Sequence, residues 1–255
     1  MMTAKNLAIV VATKNNMRTI AECLESVQGL YDHLLVVDSG STDGTIELCR
    51  NRGAEVIHRP WPGMVPQRQF CLDACKGYRW VLVLDSDESL DGQLFAEIQR
   101  VVAEDCAERD GYTFNRKVWF MGGWLHHVFQ PEFRLRLVRG GVATMNGVGP
   151  EGQGGHDRIE VAGNVGRLGG TCKHDSWESA GDMMARYLEL AQRAALYDPK
   201  PGSVSQLLLS PFFAFLKQYF WKGGIRDGRR GLIAAAGLAG GNFIKQILKL
   251  AKTFA

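Results

Sequence analysis

Two periodicities alternate along the first hundred residues. An apolar run from Leu7 to Ala12 has the length of a buried strand. Ile20, Leu24, Val27 and Leu30 then recur at three- and four-residue spacing, which predicts a crossover helix. Leu34 to Asp38 is a second apolar run and Glu55 to Arg59 a short third. QRQFCLDAC, residues 67–75, predicts a helix leading into a fourth strand, Trp80 to Asp85. Strands alternating with helices of crossover length predict an α/β fold with a mostly parallel, doubly wound sheet. Leu94 to Glu104 carries Leu94, Ile98, Val101 and Val102 on one face and is expected to pack on that sheet.

Beyond residue 110 the pattern changes. Tyr112, Phe114, Val118 and Phe120 recur roughly at period two, interrupted at Arg116, and Phe133 to Val138 alternates again. Both stretches read as antiparallel additions to the sheet. Between them MGGWLHHVFQP, residues 121–131, suits a loop that contacts a sugar by stacking and hydrogen bonding. Eleven glycines lie between Gly140 and Gly170, which predicts a mobile loop over the ligand crevice, with Glu151 as its notable acid. Asp182 to Leu196 reads as a helix with Met183, Tyr187, Leu190 and Ala194 on one stripe, ended by Pro199 and Pro201. Two amphipathic stretches follow, residues 207–224 and 231–252. In the second, Phe243, Ile247 and Leu250 are expected opposite Lys245, Lys249 and Lys252.

With 255 residues and 45% hydrophobic content, the chain can hold one large α/β domain, here residues 1–200, and a basic, aromatic helical extension, residues 201–255. Net charge is +3, but residues 201–255 carry +7 and the remainder −4. Such asymmetry points to an anionic partner for the tail, a phospholipid surface or a nucleic acid. A solvated basic face, a cap on the core or a homodimer contact accounts for the same residues. The six cysteines lack C-x-x-C spacing and read as core residues of a reducing compartment. No run reaches about 18 uninterrupted apolar residues and no signal peptide is evident, so the expected location is cytoplasmic, or peripheral on the inner face of the cytoplasmic membrane.

Chemistry concentrates at the strand ends. WVLVLDSDE closes an apolar run with Asp85, Asp87 and Glu88, and Asp85 and Asp87 point the same way in an extended chain. Carboxyl ends of parallel strands open into the ligand crevice, where such acids suit a hard divalent cation, Mg²⁺ or Mn²⁺. Asp38 ends the second strand before SGSTDGT, whose small residues would let a nucleotide lie against the backbone. The competing readings are a helix cap at Asp38 and an Asp-Ser-Asp turn at residues 85–87.

In that order the opening strand, DSGSTDGT, QRQ and WVLVLDSDE resemble the inverting glycosyltransferases of family 2, which have the GT-A fold. NRKVWFMGGWL, RLRLVRGG and the C-terminal P-x-x-x-F-x-x-x-Y-x-x-x-G-G-x-x-D-G are similar to the group that includes the β-1,4-glucosyltransferase of lipopolysaccharide core heptose. The resemblance implies a nucleotide-sugar donor, a UDP-sugar, held by Thr13, Asn15, Asp38, Ser39, Asp43, Arg68, Asp85 and Ser86. It implies a metal on Asp85, Asp87 and His174, and Glu151 as general base, with Pro150 standing where relatives carry a histidine. The implied acceptor is a lipopolysaccharide-core or lipid-linked saccharide, and no nucleic acid is expected. The rival readings are transfer to a peptide or another glycan, and a non-catalytic nucleotide-sugar-binding membrane scaffold.

Overall fold

The computed structural model describes residues 6–147, 157–198 and 200–252. Its first half alternates β1 (Leu7–Thr13), α1 (Ile20–Glu25), β2 (His33–Asp38), α2 (Thr45–Asn51), β3 (Glu55–His58), α3 (Met64–Ala74) and β4 (Trp80–Asp85). There follow β5 (Glu88–Leu90), α4 (Gly92–Glu104), β6 (Gly111–Phe120), β7 (Gly123–Trp124), β8 (Phe133–Arg139), β9 (Thr144–Asn146), β10 (Arg158–Glu160) and β11 (Val165–Trp177). Three helices complete the chain: α5 (Ala180–Tyr197), α6 (Val204–Leu216) and α7 (Gly228–Ala251). The chain divides into two compact units. One comprises the chain up to Arg116 with Phe133–Asn146 and Asp157–His174, and the other is built on Lys117–Glu132 and the chain from Asp175 onward.

The first unit holds the main sheet, ordered β3-β2-β1-β4-β8-β6-β11-β5, with the far ends of β6 and β11 counted in the second unit. β1 pairs in parallel with both β2 and β4, and β8 is the first antiparallel addition, against β4. This is the α/β arrangement expected from the alternation of strands and helices. Both faces of the parallel core are buried, which is why those strands read as unbroken apolar runs. Leu7, Ile9 and Val11 pack with Ile20, Leu24, Leu94 and Ile98 on one side, while Ala8 and Val10 pack with Cys71 and Leu72 on the other. Five of the six cysteines are buried, as small apolar residues are, and Cys106 is exposed.

The glycine-rich segment is not one long loop. It contains the β9–β10 pair and the 13-residue strand β11, in which Leu168 and Cys172 face the core. Here the alternation is carried by so few large side chains that the strand period is hard to see. Glu151 lies outside the described residues.

The second unit packs Val118, Phe120, Leu125, Val128, Met183 and Ala234 into its own core. One predicted helix face holds in part and one turns out differently. In α5 Met183 is buried and Tyr187 packs against this core as the stripe predicted, but Leu190 is exposed and Ala191 and Ala195 are buried instead. In α7 the inward face is small, with Ala234, Gly237 and Gly241 buried, while Phe243 and Ile247 are exposed and Lys249 is buried. Lys249 Nζ donates to Asp198 at 2.7 Å, and Lys252 donates to the carbonyls of Ala195 and, at 3.0 Å, Leu196. These cations therefore neutralise the C-terminal end of α5. By length and composition, Gly224–Ala251 is a helical stretch long and apolar enough to cross a membrane. No uninterrupted apolar run announced it, because its leucine, isoleucine, alanine and phenylalanine are broken up by glycine and Asn242 and bounded by charges at Arg230 and Lys245.

A π-helical stretch, Lys217–Trp221, and a 3₁₀ turn, Gly224–Asp227, join α6 to α7. The Asp227 side chain, 1% exposed, accepts hydrogen bonds from the backbone N–H groups of His126 (3.0 Å), His127 (2.9 Å) and Val128 (2.9 Å). His127 Nδ1 lies 2.9 Å from the same carboxylate. These donors hold the Asp227 carboxyl below its ordinary value although burial alone would raise it. Gln218 likewise accepts from the Phe129 N–H at 2.9 Å.

Gly231, in the first turn of α7, has no room for a side chain. A Cβ there would stand 2.1 Å from the Gly224 carbonyl oxygen. Helix propensity alone would make Gly231→Ala stabilising by up to about 1 kcal/mol. The backbone clash reverses the sign, and a loss of about 1–3 kcal/mol is expected. Thermal and urea unfolding of the variant decide which effect wins.

Candidate active site

Strand register brings the predicted acids to one edge. Thr13 pairs with Asp38, and Ala12 with Asp85, so the carboxyl ends of β1, β2 and β4 lie side by side. The loops that leave these strands are tied together. Asn15 N–H donates to Ser41 Oγ (2.7 Å), Thr42 N–H to Asn15 Oδ1 (2.8 Å) and Asn16 N–H to Thr45 Oγ1 (2.9 Å). Asn16 also donates to the Ser86 hydroxyl, and Thr19 Oγ1 to the Ser86 carbonyl at 3.0 Å.

Asp38 is fully buried and turned into its own loop. It accepts from Gly40 N–H (2.7 Å), Ser41 N–H (2.9 Å) and the Ser41 hydroxyl. Gly40, at φ +95°, supplies the left-handed step that lets the loop fold back on that carboxylate. Asp43 caps the start of α2 through Thr45 N–H and Oγ1 and also accepts from Met17 N–H at 3.1 Å. Ser39 accepts from the buried Gln67 side chain at 3.2 Å. The Thr13 hydroxyl is buried without a hydrogen-bond partner among the described residues, so a polar group of the loop mouth is left for something else to satisfy.

The strongest electrostatic feature is a cluster of carboxylates and arginines. Asp85 accepts from Arg68 Nη2 at 2.5 Å on one oxygen and from Arg136 Nη2 at 2.6 Å on the other. Arg136 also reaches Glu88 at 2.6 Å, Arg116 reaches Glu88 at 3.3 Å, and Arg68 bonds Asp157 at 2.5 Å. Glu88 closes the turn by accepting the Asp85 N–H at 3.0 Å. Burial by itself would raise the Asp85 carboxyl, but Arg136, then Arg68 and Arg116, outweigh it and hold the group well below the usual carboxylate range.

Asp87 has different company. β5 pairs antiparallel with β11 so that His174 stands opposite Glu88, which brings His174 Nε2 to 3.6 Å from Asp87 Oδ2. Burial, helped by Arg116, holds the His174 ring below its ordinary pKa although Asp87 opposes this, so the ring is neutral at pH 7. A neutral imidazole and a carboxylate are donors a divalent cation takes, and at 3.6 Å the pair is too far apart for a hydrogen bond, but the same His174 Nε2 lies 3.5 Å from Arg116 Nη1. Asp87 and His174 would give a cation two protein ligands only with Arg116 turned away from the ring, the other ligands being a bound molecule's oxygens and water. Among the described residues no group of three or more His, Cys, Asp or Glu is placed to hold one. Of the three predicted metal ligands, Asp85 has both oxygens engaged by arginine and His174 Nε2 faces Arg116, so the three are not assembled around one ion.

Sequence reasoning missed Arg116 and Arg136. The signal was present in both cases. Arg116 breaks the period-two pattern of β6, and Arg136 occupies an inward position of β8.

The model of the family described as "Glycosyl transferase family 2" matches residues 8–145, from the first strand through β9. The chain belongs to that family. It is a glycosyltransferase, as its relatives' names also have it. The transferase is 28% identical over 239 residues to the lipopolysaccharide core biosynthesis glycosyltransferase LpsC of Rhizobium meliloti, covering 90% of this chain and 86% of that one. It is also 28% identical over 225 residues to an uncharacterized glycosyltransferase of Rickettsia typhi, covering 85% of this chain and 77% of the relative. Among solved structures it is similar to S. aureus TarS, with TM-score 0.49 and 17% identity, covering 88% of this chain and 45% of TarS, and so spans less than half of that protein. A second is the mannosyltransferase PcManGT of Pyrobaculum calidifontis in complex with GDP-Man and Mn²⁺, with TM-score 0.48 and 16% identity, covering 99% of this chain and 76% of that one.

Arg136 compensates the buried Glu88 and the half-buried Asp85 at once, so Arg136→Met should cost about 3–5 kcal/mol in urea unfolding. Arg100→Met, which breaks an exposed pair with Glu104, should cost no more than about 0.5 kcal/mol. The depressed Asp85 carboxyl adds stability that is fully present above its unfolded pKa, near about 4, and is lost as pH falls through the folded value. Arg136→Met should flatten this acid-side slope. Equal losses for the two variants would mean that the cluster is no more than surface charge.

Proposed function

We propose that this transferase moves a sugar, with inversion, from a UDP-sugar to a hydroxyl of a lipopolysaccharide-core or lipid-linked saccharide on the cytosolic side of the membrane. The single observation that carries the reading is the convergence of Thr13, the Asp38 loop and the Asp85–Ser86–Asp87 turn at one sheet edge, with His174 beside Asp87. The likeness to LpsC along most of both chains supports the acceptor class.

The 39–44 loop, shaped by Asp38, presents small side chains and backbone to the nucleoside. The Thr13 hydroxyl and the Asn15 side chain border the same mouth. Asp87 and His174 would hold a Mg²⁺ or Mn²⁺ ion, which when bound neutralises charge on the departing diphosphate. Arg68 and Arg136 keep Asp85 ionised and fix the turn from which Asp87 projects. Glu151 takes the proton from the acceptor hydroxyl as that oxygen attacks the anomeric carbon from the face opposite the diphosphate, and the bond to UDP breaks.

Asp87→Asn and His174→Gln should each lower transfer by roughly 10²-fold or more while leaving urea unfolding nearly unchanged. Glu151→Gln should lower transfer by a similar factor and leave UDP binding intact. UDP release from UDP-sugar, with Mn²⁺ or Mg²⁺ titrated in, measures the first pair, and calorimetry with UDP measures the last. Wild-type turnover in Asp87→Asn would sink the metal assignment. A Glu151→Gln enzyme of full activity would move the base elsewhere, with Asp157 and Glu132 the next acids to test.

A further inference from the structure

The charge asymmetry of the tail first directs attention to Lys245, Lys249 and Lys252, but two of these are committed to the end of α5. A different face of the second unit is built to meet a partner. Every residue of α6 is at least partly exposed, although the helix is mostly leucine and phenylalanine. Leu208 and Phe212 form one i,i+4 row and Leu209 and Phe213 the adjacent row. The π-helical stretch continues the face with Phe220 and Trp221. All six side chains are more than half exposed, Trp221 at 83%. Scattered exposed apolar residues are ordinary, but six large ones within 14 residues form a patch that needs a cover.

Charge identifies the cover. Between Asp198 and Asp227 the sequence holds no acid, while Lys217, which continues the Leu209–Phe213 row, and Arg226 are exposed, and the half-buried Lys222 donates to the Gln130 carbonyl at 2.9 Å. A second copy of the chain, docked about a twofold axis, would set this basic patch against itself. An anionic bilayer meets it with opposite charge, and aromatic side chains framed by lysine and arginine are what a helix lying in the headgroup region presents. We infer that the exposed face of α6 and the π-helical stretch is a docking surface for anionic phospholipid, which lays α6 in the plane of the membrane. This rests on the membrane-side acceptor proposed above, but docking needs neither donor nor acceptor and is measured without them.

The test is co-sedimentation of the full chain with phosphatidylglycerol vesicles and with phosphatidylcholine vesicles across a salt series. The wild type should partition onto phosphatidylglycerol vesicles, be released as salt rises, and bind phosphatidylcholine weakly. Leu208→Ser, Phe212→Ser and Trp221→Ser together remove exposed side chains only, so the variant should keep its circular dichroism and UDP binding while partitioning at least tenfold more weakly. Lys217→Gln with Arg226→Gln should weaken binding several-fold and flatten its salt dependence. The inference is overturned by a wild type that binds neither vesicle, by equal partition onto both, or by a triple variant that binds like the wild type. A wild-type dimer that the triple variant dissociates, with no vesicle binding, would assign the face to a second copy instead. Transfer to a soluble acceptor is a separate measurement, so loss of docking and loss of the proposed activity are told apart.

Discussion

The ionic cluster around Asp85 and Glu88 is the constraint on which the rest of the site depends. Two carboxylates at the end of a core strand cannot lose their water without cations beside them, and Arg68, Arg116 and Arg136 reach them from α3, β6 and β8. Elements far apart in sequence must therefore be in register before the turn after β4 can take its shape. Such an arrangement is weak as a source of net stability but strong as a source of uniqueness, because any slip in β6 or β8 strands a buried charge. The turn thereby separates its two aspartates. Asp85 is held by the protein's own cations, and Asp87 faces the histidine that β11 brings to it.

The same logic explains what could be read in advance. β1, β2 and β4 were legible because each is buried on both faces and appears as an unbroken apolar run, and their shared edge followed from parallel topology. The acids were legible because charge at the end of such a run is conspicuous. Their neighbours were not, since arginine in an alternating strand looks like an outward residue until pairing fixes which face is covered. Asp38 shows a second kind of limit. Its position was foreseen, but only the loop's hydrogen bonds reveal that its oxygens are used to fold the loop.

Among the helices, α4 packed as its apolar face required and α5 buries Met183 as its stripe predicted, whereas α7 did not follow its largest side chains. In α7 alanine and glycine face inward, letting backbones approach closely, while Phe243 and Ile247 are left outside, and beside Met183 in α5 it is Ala191 and Ala195 that are buried while Leu190 is not. A rule that sends bulk to the core fails where close backbone approach decides the packing. The buried Lys249 is part of the same inversion, because a small inward face leaves room for a long side chain to reach the end of α5.

Asp227 has a bearing on how the chain tolerates shortening. Its carboxylate stands in for the missing hydrogen-bond partners of three successive amides about a hundred residues earlier in sequence. The 126–128 segment thus borrows its conformation from the start of α7. Removing the C-terminal helices would do more than detach a surface element. It would leave those amides without their acceptor, so a truncated chain and an intact one differ in the middle of the sequence as well as at its end.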